Sequence, residues 1–162
     1  MEIIFAPWRY QYVSSGNEED CVFCRIIGED KDGDNLVLAR ASYHIVLLNR
    51  YPYTTGHLMI APLRHMADIC DATSKELSEM MSLSADACAA LREQYSPEGI
   101  NIGMNIGRSA GAGVDKHYHM HVLPRWTGDT SFVTIMGGAR VIPEALDITY
   151  ERLRRSLKKD KH

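Results

Sequence analysis

The stretch Lys116-His117-Tyr118-His119-Met120-His121-Val122-Leu123-Pro124-Arg125-Trp126 sets three of the chain's seven histidines at alternate positions, with apolar residues between them. On an extended strand such spacing turns all three imidazoles to one face, while Tyr118, Met120 and Val122 face a core. One strand would thus carry both packing and chemistry. A lone histidine on a strand is commonly a hydrogen-bonded structural residue, and a histidine-rich tract can be a casual chelator. Strict alternation with apolar neighbours points instead to a built site.

Working outward, Ile100 to Asn105 reads as the strand before this one, and Tyr118 to Leu123 as the fifth strand. Upstream, Leu36 to Ala41 and Tyr43 to Leu48 are two short, tightly joined strands rich in Val, Leu and Ile. Arg50 to Gly56 is a turn, and His57 to Pro62 is a third strand ended by its proline. Thr73-Ser74-Lys75-Glu76 has capping-box spacing, with Leu77, Met80, Met81, Ser84, Cys88 and Leu91 following at helical intervals, so the longest helix runs to about Gln94 or Tyr95. Its Met-rich stripe reads as core packing. Asp147 to Lys158 is a C-terminal helix whose basic last turn suits its dipole, and the charge run Arg152 to Lys159 is its solvated face.

Cys21 to Ile27 forms one or two helical turns between polar loops at 14–20 and 28–34. Sequential strands around one long helix predict an α+β fold, a mainly antiparallel five-stranded sheet with a central and a C-terminal helix. No βαβ alternation supports a dinucleotide-binding fold.

The 162 residues, 45% hydrophobic with a net charge of −3, suit a single domain over 1–162. Interspersed charges leave no footprint for nucleic acid or an anionic membrane. No segment approaches the ~20 apolar residues of a bilayer span, and Met1 to Arg9 lacks the pattern of a secretory signal, so a cytoplasmic protein is expected. Four cysteines do not make a disulfide scaffold. Cys21-Val22-Phe23-Cys24 reads as a metal or redox knuckle, and Cys70 and Cys88 as small core fillers.

Gly107-Arg108-Ser109-Ala110-Gly111-Ala112-Gly113, just before the histidines, has glycines that permit positive φ and let backbone N–H groups converge on an anion. Phosphate held beside several imidazoles suggests displacement at phosphorus, in which a neutral ring nitrogen attacks and a second, protonated histidine assists the leaving oxygen.

His117-Tyr118-His119-Met120-His121-Val122-Leu123 matches the His-x-His-x-His-apolar-apolar signature of the histidine triad (HIT) superfamily of nucleotide hydrolases and transferases. Asn49 to Arg64 resembles the nucleoside-holding segment of its Fhit-like branch, and the resemblance covers residues 43 to 126. Pro7-Trp8-Arg9, Asn105 to Gly111, Pro124 to Asp129 and Ile135 to Gly138 are similar to the diadenosine tetraphosphate phosphorylase group. The resemblance implies that His119 is the nucleophile, forming a nucleotidyl-histidine, and that His121 binds phosphate and promotes departure of the leaving group. It implies that Asn49 bonds the ribose hydroxyls, that Asn105 orients the phosphate, and that Leu47 and Ile45 wall the base. His119 is expected to donate its other ring nitrogen to a backbone carbonyl.

Where relatives often have Gln followed by Ser or Thr, this chain has Ala112 and Gly113, so contact there falls to backbone N–H groups such as that of Gly113, with Ser109 as a substitute donor. A lone Cys-x-x-Cys is a weak metal signal. Some bacterial HIT proteins and the galactose-1-phosphate uridylyltransferases are similar here, and the likeness implies a structural zinc on Cys21, Cys24, His65 and His117, with no organic cofactor. His57 either hydrogen-bonds within the site or supports its strand; His44 and His162 have no assigned role. The resemblance further implies a small-molecule nucleotide substrate and a homodimer or larger homo-oligomer. Its alternative is a nucleotide-binding, zinc-stabilised module with little catalysis.

Overall fold

The computed structural model describes residues 21–129 and 142–159; Pro7 to Arg9, the loop at 14–20 and Ile135 to Gly138 lie outside them. Helix α1 (Val22–Gly28) leads into β1 (Val37–Arg40), β2 (His44–Leu48) and β3 (Leu58–Pro62). Then come α2 (Ser74–Tyr95), β4 (Gly99–Met104), β5 (Met120–Arg125) and α3 (Leu146–Lys159). The sheet runs in the order β1-β2-β3-β5-β4 with every pair antiparallel, the predicted α+β architecture.

The pleat sorts residues by parity. Val46, Leu48, Leu58, Ile60, Met120 and Val122 face α2 and α3, packing on Met80, Ala87, Leu91 and Leu153. Val37, Ile45, Leu47 and Ala61 face the other way, beneath Phe23 and Ile26 of α1. Ile45 and Leu47 are therefore buried under α1.

Three details differ from expectation. The fifth strand starts at Met120 rather than Tyr118, because Pro62 ends β3 without an N–H to extend the ladder. The Tyr118 amide donates instead to the Met66 carbonyl at 2.8 Å. Parity nevertheless persists, since Tyr118 packs into the α2-side core. On α2, Leu77 and Met81 are exposed, Met81 at 59%, whereas Met80, Ser84, Ala87, Cys88 and Leu91 form the buried face. Cys70 is exposed on a 3₁₀ turn, Ile69–Asp71, and only Cys88 of that pair fills core.

The capping box at Thr73 is present in full, with Glu76 also accepting both Nε and Nη2 of Arg64 at 3.2 and 3.0 Å. His44, buried, is bound through Nδ1 to Glu79 of α2 at 2.8 Å, and the same carboxylate accepts the Ser42 and Tyr43 amides. That clamp secures the β1–β2 turn to the helix. No described helix is long and apolar enough to cross a membrane.

Candidate active site and metal centre

The segment before β5 lies off the ladder, and hydrogen bonds to backbone carbonyls hold its two histidines. His119 is 5% exposed, and its Nδ1–H donates to the carbonyl of His117 at 3.0 Å. A carbonyl only accepts, so the proton sits on Nδ1 and the lone pair of the neutral ring on Nε2. Burial lowers the pKa of His119 from its ordinary value, which favours that neutral form. Its ring lies 4.8 Å from the Phe23 ring and 4.8 Å from His121, the latter edge-on at 73°.

His121 sits in β5 opposite Met59. Its Nδ1 is 2.9 Å from Nε2 of His57, while His57 Nδ1 accepts the Tyr53 amide at 3.1 Å. The amide can only donate, so His57 carries its proton on Nε2 and passes that hydrogen bond to His121 Nδ1. His121, when neutral, then holds its own proton on Nε2. A donor histidine thus stands beside a histidine unprotonated at Nε2, an arrangement with the chemical means for attack by one ring and proton donation by the other.

Sequence reasoning left the role of His57 undecided and gave none to the Tyr53 amide. The available signal was register: residue 59 pairs with 121, so residue 57 is a diagonal, same-face neighbour of His121. The turn that delivers His57 closes through an Asn49 N–H bond to the His57 carbonyl at 2.9 Å, and Asn49 Oδ1 accepts the Tyr51 amide at 2.9 Å. Asn105 donates to the Gly111 carbonyl at 3.4 Å, stapling the glycine loop. In that loop Gly107 and Gly111 take positive φ of 80° and 85°, around a 3₁₀ turn, Arg108–Ala110, that exposes Ser109. Gly113 is exposed further along, and Val114 packs into the α1-side core.

Cys21, Cys24, His65 and His117 place their donor atoms within 4.8 Å of one another. Cys21 Sγ is 3.2 Å from His117 Nδ1, Cys24 Sγ is 3.2 Å from His65 Nδ1, and Cys24 Sγ is 3.7 Å from His117 Nδ1. Donors around a tetrahedral ion bound at ordinary zinc–ligand lengths stand about 3.3–3.8 Å apart, so these residues fit a metal ion. His117 Nε2 donates to the Pro62 carbonyl at 2.9 Å, which aims Nδ1 at the cluster in the manner of a metal-ligating imidazole. Burial pushes its pKa down to about 4, leaving the ring neutral and available to bind.

A five-stranded antiparallel sheet presenting this row of histidines defines a fold and site shared with known proteins. The chain belongs to the HIT domain family, whose model matches residues 31–128. Among its curated relatives is an AP-4-A phosphorylase of Mycobacterium tuberculosis, 43% identical over 115 residues, which are 71% of this chain and 59% of that protein. The match thus spans less than two thirds of the relative's length. A zinc-bound histidine triad family protein from Mycobacterium smegmatis superposes with a TM-score of 0.70 at 28% identity, covering 88% of this chain and 96% of that one. A hypothetical histidine triad nucleotide-binding protein from Sulfolobus tokodaii gives 0.69 at 25% identity, covering 86% and 93%.

Proposed function

We propose that this protein cleaves dinucleoside polyphosphates, of which diadenosine tetraphosphate is the type, or related nucleotides through a nucleotidyl-His119 intermediate. The observation that carries this reading is the pinned tautomer of His119 next to the proton chain Tyr53–His57–His121. Nε2 of His119 attacks the α-phosphorus, forming a P–N bond as the P–O bond to the leaving phosphate chain breaks. His121 Nε2–H supplies a hydrogen bond, and then the proton, to the departing oxygen. Water or inorganic phosphate next attacks the adduct and loses its proton to His121 as the P–N bond breaks, regenerating His119. In this scheme Asn49 binds the ribose, while Asn105, Ser109 and the Gly113 amide hold phosphate.

Water as acceptor yields a nucleoside monophosphate and phosphate yields a diphosphate, so product analysis with and without added phosphate identifies the acceptor. Intact-mass detection of a nucleotidyl adduct tests the mechanism directly. His119→Ala is expected to lose turnover by at least about a thousandfold while keeping its fold; full activity in that variant would end the assignment. Ala112 supplies no side-chain donor to the leaving group, and this favours a second reading, a nucleotide-binding module with little catalysis. Binding across a nucleotide panel without turnover would select it.

The four-donor cluster supports a structural zinc, with all positions taken by protein and none open for chemistry. Thiolate ligands suit a reducing compartment such as the cytoplasm. A homodimer is supported by β4, an edge strand with Ile102 45% exposed and no charged side chain. Light scattering should give twice the chain mass, and Ile102→Glu should halve it; a wild-type monomer at micromolar concentration would refute the pairing.

A further inference from the structure

Phe23 lies between the two cysteines of the knuckle, and the chemistry assigned so far makes no use of it. Its ring is 2% exposed, 4.8 Å from the ring of His119 and 5.2 Å from that of His117. His119 is thereby bounded on one side by Phe23 and on another by the steeply tilted ring of His121, with its Nδ1 end tied to the His117 carbonyl.

What holds Phe23 there is not α1 by itself. Seven residues are too few for a self-supporting helix, and its N-cap, Cys21, makes no side-chain capping bond. The helix is fixed from outside at both ends. At its C-terminus the Arg40 guanidinium donates to the carbonyls of Ile27, Ile26 and Glu29 at 3.0, 3.2 and 2.9 Å. At its N-terminus stand Cys21 and Cys24, within reach of His65 and His117.

From this arrangement we infer that Phe23 is a positioning residue for His119, delivered by the metal knuckle to hold the attacking imidazole in one orientation. The inference rests on the proposed role of His119. Its physical basis is that a reacting group free to rotate loses the alignment on which displacement depends, although substrate still binds.

The test compares Phe23→Ala and Phe23→Leu with wild type, each purified with its metal and assayed for metal per chain. In one arm kcat and KM are measured for nucleotide cleavage. In the other, without substrate, the rate at which diethyl pyrocarbonate modifies His119 is followed by peptide mass. Phe23→Ala should keep its metal, lower kcat between about ten- and a hundredfold with KM within about twofold, and raise the modification rate several-fold. Phe23→Leu, which refills most of the volume, should fall between alanine and wild type in both measures. If Phe23→Ala loses its metal or its fold, the leucine variant decides on the same two readouts. A raised KM with kcat intact would make Phe23 a substrate contact and overturn the inference, as would unchanged kcat and modification rate. Should wild type form no nucleotidyl adduct, the proposed reaction fails, while the modification arm still reports whether Phe23 restrains His119.

Discussion

Gly56 shows how much a single position can require. It takes φ of +78° in the turn before β3, and a Cβ there would stand 2.9 Å from Leu91 Cδ2 of α2. The turn must bend that way to bring His57 to His121, and it must do so against a helix already in place. Gly56→Ala therefore meets both a left-handed backbone and a clash, and should cost more than about 1 kcal/mol, read as a lowered denaturant midpoint. The histidines themselves were legible in the sequence as a row on one face. That His119 gives one ring nitrogen to a backbone carbonyl was expected and is found, at the His117 carbonyl; which nitrogens His117 and His121 use was not legible, because that depends on the Pro62 carbonyl and on the Tyr53 amide acting through His57.

At the scale of elements, the start of α2 was readable from Thr73 and Glu76, since a capping box is local. Its buried face was readable in large part: Met80, Ser84, Cys88 and Leu91 of the expected stripe face the core, whereas Leu77 and Met81, at the edge of that stripe, turn to solvent. Glu76 carries a pH-dependent share of stability. Its bonds with Arg64, and next with the Thr73 amide, hold its carboxyl at about 2, below its unfolded value of roughly 4.3. The folded state thus binds this proton more weakly, so the stabilisation is complete above the unfolded value and is lost as pH falls from about 5 toward 2. Glu76→Gln should be less stable by roughly 1 kcal/mol at pH 7, and its deficit should shrink in acid. Denaturant titrations of both proteins at pH 7 and pH 3 measure this; a constant difference would assign the loss to packing.

Over the whole molecule, the cluster of Cys21, Cys24, His65 and His117 joins residues separated by up to 96 positions: α1 and its N-cap, the segment after β3 and the segment before β5. On the proposed zinc role, binding energy gained only in the folded state adds to stability, so a strong chelator should lower the melting temperature by several degrees. Cys24→Ser should show the lower value from the outset and little further change with chelator. Stoichiometric absence of zinc from freshly purified wild type would remove the basis for both. The long separation also explains why Cys21-x-x-Cys24 was a weak signal alone, since half the donor set is visible only after folding.

Local pattern sufficed for the order of elements, the antiparallel α+β class, the capping box and the histidine row, because alternation and capping depend on neighbours in the chain. Tertiary structure alone decided that β5 begins only at Met120, that α2 turns Met81 to solvent, that His57 hydrogen-bonds His121, and that Phe23 abuts His119. Each of those outcomes depends on where a distant backbone carbonyl, amide or ring comes to rest. Packing of the sheet between α1 and the α2–α3 layer fixes those places.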